Sequence, residues 1–268
     1  MKEQIYVWLS LIEELDYLIY LKLIEIFGST SNLYNYSKDK LKFQEYLKSN
    51  NLNLDENLKS KLFNNEIKEK SIYVYKYLKS KNIKIIPINS KYYIKKLKNI
   101  FSPPLCIYVT GNIEKLNDKK IFLYENNNIT KYAKKIIYLI KEKILNVNNY
   151  LILNNNFNIH SINLIYDLDK IVNNTNEVNV YYNNSYKKRE IRNLEIISGC
   201  LDLLIIPEAD YTKDICIIVD SLLELGKNIV IFPNEIFNKN AYFSNYLIKN
   251  GANMLTNIYQ IEEIISEL

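Results

Sequence analysis

Leu203-Leu204-Ile205-Ile206-Pro207 and Asn228-Ile229-Val230-Ile231-Phe232 flank the stretch Lys213 to Leu225, and this trio decides the fold. Each run is short and, apart from Asn228, apolar, the pattern of a strand covered on both faces, and the stretch between them has the length and character of a helix. Working outward, the same alternation recurs. Ile121 to Tyr124 leads to a helix over Lys131 to Ile144, Leu151 to Leu153 to one over Ile159 to Leu168, and a strand at Glu177 to Val180 to one over Lys188 to Ile197. Helices near Tyr242 to Lys249 and Tyr259 to Leu268 close the chain. Upstream, strands at Ile83 to Pro87 and Cys106 to Thr110 are joined through a short helix at Tyr92 to Leu97 and the stiff turn Phe101-Ser102-Pro103-Pro104. Short apolar strands between longer helices predict an α/β fold: a Rossmann-like three-layer sandwich with a mostly parallel sheet, rather than a barrel.

Residues 1 to about 80 carry a different period. Ile5, Trp8, Leu9 and Ile12 recur at helical spacing, as do Leu15, Leu18, Ile19 and Leu23, and Gly28 followed by Ser29 supplies a stop and a new cap. Further helices are expected over Lys38 to Lys48 and Asp55 to Lys79, the latter breaking near Asn64. The expected organisation is a small all-helical N-terminal domain over residues 1–80 and a Rossmann-like domain over residues 81–268.

The chain has 268 residues, and its 35 Lys+Arg against 30 Asp+Glu give a formal charge of +5, spread over scattered lysines. That balance permits nucleic acid without demanding it. Tyrosines number 24, but Asn, Lys, Ile and Tyr are enriched even in apparent core strands, so single tyrosines say little. Cys106, Cys200 and Cys216 sit in apolar stretches without paired spacing and read as reduced core residues. His160 is the single histidine, so neither a disulfide framework nor a zinc site is expected. The N-terminus lacks a signal-peptide pattern and no stretch approaches the roughly 20 apolar residues of a membrane span; a cytoplasmic protein is the expectation.

Ligands of such sheets bind at the carboxyl ends of the strands. The loop Glu125 to Thr130 and the loop Asn154 to Asn158 both lack the glycines of a phosphate cradle, which argues against a nucleotide cofactor. In the loop Pro207 to Asp214, Glu208 and Asp210 could serve as acid, base or metal ligand; alternatively Thr212 caps the next helix and Asp214 complements its dipole. Tyr186-Lys187-Lys188-Arg189-Glu190-Ile191-Arg192-Asn193 holds the only two arginines of the chain. Arginine offers a fixed fork of donors suited to phosphate, so this run nominates an anion site, unless the arginines only solvate a helical first turn or pair with Glu190 and Glu195.

From Ile196 through Ser198-Gly199 and Leu203–Ile206 to Glu208-Ala209, the chain resembles the DNA-processing protein family (DprA, also called Smf). Leu225-Gly226-Lys227-Asn228 to Pro233, Ser244-Asn245 to Gly251-Ala252, Phe101-Ser102-Pro103-Pro104 to Gly111-Asn112, and faintly Thr130-Lys131-Tyr132-Ala133 follow in the family's order and spacing. The family's glycine and arginine after its first Rossmann strand are replaced by Glu125 and Asn127, its closing glycine by Ala133, and its serine-glycine step by Asn154-Asn155. The arginine-asparagine-arginine element keeps only Arg192-Asn193.

The resemblance implies a non-enzymatic protein that binds single-stranded DNA and loads the RecA recombinase onto it during natural transformation, acting as a homodimer without cofactor or metal. Arg189, Arg192, Lys187 and Lys188 would hold phosphates, with Asn193 beside them, and Asn127 and Tyr132 lining the cleft. Two other functions remain open at this stage: a degenerate Rossmann-like scaffold acting through protein interaction, and a nucleotide-processing enzyme of related fold.

Overall fold

The computed structural model describes residues 2–111, 113–125, 128–145, 150–153, 162–165 and 194–268. The described residues of Met1–Tyr93, Phe101–Thr110 and Leu164–Asn179 form one compact unit, and those of Ile94–Ile100, Gly111–Asn163 and Val180–Leu268 another.

The first unit opens with six helices: α1 (Lys2–Ser10), α2 (Tyr17–Phe27), α3 (Thr30–Tyr36), α4 (Lys40–Ser49), α5 (Glu56–Phe63) and α6 (Asn65–Ser80). Their starts are written locally. The side chains of Asp16, Ser29, Asp39, Asp55 and Asn64 each accept a hydrogen bond from a backbone N–H of the helix that follows, worth about 1 kcal/mol apiece. Gly28 ends α2 at φ 71°, a left-handed conformation that a side chain would resist, and Asn64 both ends α5 and caps α6. Trp8 of α1 is fully buried and meets the Tyr34 ring edge-on at 5.1 Å. Strands β1 (Lys84–Pro87) and β2 (Cys106–Gly111) then pair antiparallel, and the Ser10 and Tyr108 hydroxyls, 2.6 Å apart, tie α1 to β2.

The second unit is the Rossmann-like sandwich. Strand β3 (Lys119–Leu123) is followed by α7 (Lys131–Leu145) and β4 (Tyr150–Leu153). After β5 (Ile162–Ile165), residues 194–200 form helix α8, and β6 (Leu203–Ile206), α9 (Lys213–Glu224), β7 (Asn228–Ile231), α10 (Tyr242–Lys249), β8 (Asn253–Met254) and α11 (Gln260–Glu267) complete the chain. The order β4-β3-β6-β7-β8 is parallel throughout. Because side chains alternate along a strand, Ile121, Leu123, Leu203, Ile205 and Val230 share one face, where they pack with Ile136, Ile137, Ile140 and Ile144 of α7 and Ile261 and Ile265 of α11. Phe122, Leu204 and Ile231 point the other way, and α9 and α10 pack on β7 without joining the first cluster. Gly199 in α8 is required by crowding: a Cβ there would lie 2.5 Å from Ile100 Cγ2 and 2.9 Å from Leu97 Cδ1.

Two expectations are corrected. Residues 162–165 are strand β5, not part of a helix over Ile159 to Leu168, and the strands divide between this five-stranded sheet and a three-stranded one of order β1-β2-β5. Ile162, Leu164, Ile165 and Leu168 satisfy a helical period as well as an extended run, so partners distant in sequence decide. The expected strand at Glu177 to Val180 lies outside the described residues. Cys106 and Cys200 are buried free thiols, with Cys216 half-buried.

Candidate functional site

The order β4-β3-β6-β7-β8 changes direction between β3 and β6, since the chain leaves β3 toward β4 and later returns to β3's other side. A crevice at the carboxyl ends of those two strands is where such sheets hold ligands. The loops after β3, β6 and β7 meet there, joined by the Glu208 carboxylate. Its side chain is 0% exposed. Thr130 donates to it twice, from its backbone N to Oε1 at 3.2 Å and from its hydroxyl to Oε2 at 2.6 Å, and Asn238 Nδ2 donates to Oε2 at 3.0 Å. The Thr130 hydroxyl also accepts from Ala133 N at 3.2 Å, capping α7.

This arrangement makes Glu208 a latch. Both of its oxygens are engaged by neutral donors and the side chain has no water-facing surface, and no cluster of His, Cys, Asp and Glu suited to a metal exists among the described residues. Thr212 takes the capping role foreseen for it, accepting from Ile215 N at 3.5 Å, with Asp214 in the first turn of α9. Asp210 is exposed on the same loop.

The loop after β7 is fastened from several sides. Asn234 N donates to Asn245 Oδ1, Asn238 Nδ2 donates to Asn234 Oδ1 at 2.9 Å as well as to Glu208, and Asn240 Nδ2 donates to the Asn128 carbonyl at 2.6 Å. Asn234 keeps one buried amide donor, Nδ2, without a protein acceptor. Tyr132, in the first turn of α7, donates its hydroxyl to the Pro233 carbonyl at 3.0 Å, and the residue is 46% exposed. Burial of that hydroxyl raises its pKa. Tyr132 therefore stands at the carboxyl edge of the sheet, beside the end of β7. Arg189, Arg192, Lys187, Lys188, Asn193 and Asn127, together with His160, lie outside the described residues.

Cations surround this edge. Lys131 and Lys134 at the start of α7, Lys135 just after them, Lys213 at the start of α9 and Lys239 in the β7 loop are all exposed, with no ion-pair partner among the described residues. A lysine in a first helical turn repels the positive end of the helix dipole, so these positions add to a positive field. Glu125, in the loop before α7, is paired with Lys141 at 2.6 Å.

The opposite, amino-terminal edge holds lysines of another kind. Lys120 is 2% exposed and donates to the carbonyls of Leu116 at 2.6 Å and Asp118 at 2.9 Å. Lys227 donates to the carbonyls of Ser198 at 2.9 Å and Gly199 at 2.7 Å, closing the last turn of α8. Burial lowers both amines, Lys227 to about 8. Asp202 pairs with Lys96 and accepts from Lys120 N at 2.9 Å. Burial raises the neighbouring Cys200 thiol to about 11, so it is not a reactive thiolate.

A solved structure shares this architecture. DNA processing protein A (DprA) from Streptococcus pneumoniae superposes over 87% of this chain and 96% of its own, with a TM-score of 0.53 and 16% sequence identity. The chain has the DprA fold. DprA from Helicobacter pylori, whose structure concerns the single-stranded DNA binding mode of that protein, covers 69% of this chain and 96% of its own, with a TM-score of 0.49 and 14% identity. No family model and no curated protein matches the sequence. The family resemblance carried by Ile196 to Ala209 and by Leu225 to Pro233 thus holds as a DprA-like fold: these segments form α8, β6 and β7. No helix among the described residues is long and apolar enough to cross a membrane.

Proposed function

We propose that this protein binds single-stranded DNA through its phosphate backbone at the carboxyl edge of the second unit and acts in DNA processing. The observation that carries this reading is the set of exposed lysines at the starts of α7 and α9, without an ion-pair partner among the described residues and grouped at the strand-order reversal where this fold places ligands. The fold shared with the DNA processing protein of Streptococcus pneumoniae supports it. Arg189 and Arg192, flanked by Lys187, Lys188 and Asn193, supply the planar forks for phosphate in the segment that precedes α8. Tyr132 at the start of α7 and Asn127 of the preceding loop would add contacts to the same strand. RecA recombinase loading, a homodimeric state, cytoplasmic residence and an absence of catalytic turnover belong to the same proposal.

The test is binding of a fluorescent oligothymidylate across a salt series. Affinity should fall steeply with salt, and replacing Arg189 and Arg192 by alanine should lower the log–log slope by about 1.4, two contacts at about 0.7 each. Absence of binding by the wild-type protein at low salt sinks the proposal. RecA filament formation on the same strand, with and without the protein, tests the loading step.

A further inference from the structure

One loop of the second unit inverts the usual rule of polar outside and apolar inside. In the turn after β7 the asparagines face inward, Asn234, Asn238 and Asn240 all spending side-chain hydrogen bonds on Glu208, Asn128 or each other. The residues between them, Ile236 and Phe237, stand 83% and 89% exposed. A single exposed apolar side chain is ordinary, but two adjacent large ones on a loop held by this many hydrogen bonds present a rigid apolar tip to water.

The occupant must fit the setting. Tyr132, itself half-exposed, is bonded to Pro233 at the root of the same loop. Along the carboxyl edge that carries the tip, the exposed Lys131, Lys134, Lys135, Lys213 and Lys239 outnumber the exposed Asp210, Asp214 and Glu235. An apolar protein surface would satisfy the tip but leave those lysines unanswered. A strand of nucleic acid satisfies both, offering π-faces to Phe237 and Tyr132 and phosphates to the lysines.

We infer that the Ile236–Phe237 tip is a base-stacking wedge, with Phe237 lying against an unpaired base and Ile236 filling the step beside it. This rests on the single-strand function proposed above and adds to it a contact that reads the presence of bases without reading their sequence. Preorganisation favours such a role, because the loop is already ordered by Asn238 and Asn240 and has little freedom left to lose on binding.

The experiment compares an oligothymidylate with an abasic oligonucleotide of the same length, which keeps the phosphates and removes the bases. Wild-type protein should prefer the thymidylate by about tenfold, and Phe237→Ala should abolish most of that preference while leaving abasic affinity unchanged. Lys131→Ala, by contrast, should weaken both strands alike. Phe237→Ala should not disturb folding, as the side chain touches little of the core, and its thermal midpoint provides the check. An unchanged preference in Phe237→Ala overturns the wedge while the backbone-binding function stands. A variant whose sedimentation shows altered self-association, with its preference for bases intact, also overturns it and assigns the tip to contact between copies. Failure of wild-type protein to bind either strand removes the function itself, a result distinct from both.

Discussion

The two ends of the five-stranded sheet use the same residue type for opposite purposes. At the amino-terminal end Lys120 and Lys227 are drawn inward and donate to backbone carbonyls, so their charge is consumed in closing the structure. At the carboxyl end Lys131, Lys134 and Lys213 are exposed at helix starts, where they oppose the dipole and have no ion-pair partner among the described residues. Among the described residues the deeply buried acidic side chain at that end is Glu208, held by neutral donors from the loops after β3 and β7. Lysine count alone therefore carries little information about function; what separates a structural lysine from one free to meet a ligand is whether its donors are already satisfied.

Truncating lysines at the two ends provides the sharpest contrast. Lys120→Ala should destabilise the protein by about 3 kcal/mol, combining the loss of a packed stem with two carbonyls left without a donor, less the relief of removing a desolvated ammonium. Urea denaturation measures it, and a loss below about 1 kcal/mol would break the distinction between the ends.

Part of this was legible in the sequence and part was not, for identifiable reasons. Apolar runs such as Leu203–Ile206 and Asn228–Ile231 announce buried parallel strands, and caps such as Ser29, Asn64 and Thr212 announce helix starts, because both signals are local. β8 escaped notice since it has only two residues, both exposed, and is held by pairing with β7. Glu208 could be read as an acid or as structure; its donors lie 78 and 30 positions away in Thr130 and Asn238, and nothing near it in the chain reports them. Lys120 and Lys227 look like any surface lysine until the carbonyls that accept their hydrogen bonds are brought alongside. Ile236 and Phe237 carry the opposite disguise, an apolar pair that reads as core and stands in solvent.

Lys227 offers a second contrast, through pH. Burial holds its folded pKa at about 8, below the ordinary 10.5, so the unfolded chain binds more protons between those values. Stability must then rise with pH across that window, the protonated form having carried a cost below it. Buried tyrosines such as Tyr20, whose pKa is raised by burial, work in the other direction, so the comparison is between wild type and Lys227→Met. The wild-type protein should gain stability relative to this variant from about pH 7.5 to about 10. A flat difference would mean that Lys227 is solvated like the lysines at the carboxyl edge.

The smallest stability effect belongs to the carboxyl edge and is the most informative about binding. Replacing Lys131, Lys134 and Lys213 together by alanine removes no hydrogen bond and no ion pair of their side chains among the described residues, and it takes three charges from the positive ends of α7 and α9. Alanine is also the better helix former, so the triple variant should be as stable as wild type or more stable by a few tenths of a kcal/mol for each site. Its affinity for single-stranded DNA should nonetheless fall, with the salt slope reduced by about 0.7 for each lysine that meets a phosphate. Equal weakening for several unrelated sequences would mark these contacts as backbone contacts, whereas the loss on removing Phe237 should depend on the presence of bases. Should the triple variant lose stability as Lys120→Ala does, the carboxyl-edge lysines are structural after all and the two ends of the sheet do not differ. Unchanged stability together with an unchanged salt slope would instead leave those lysines free but unused, and would move the phosphate contacts to the Arg189 and Arg192 segment alone.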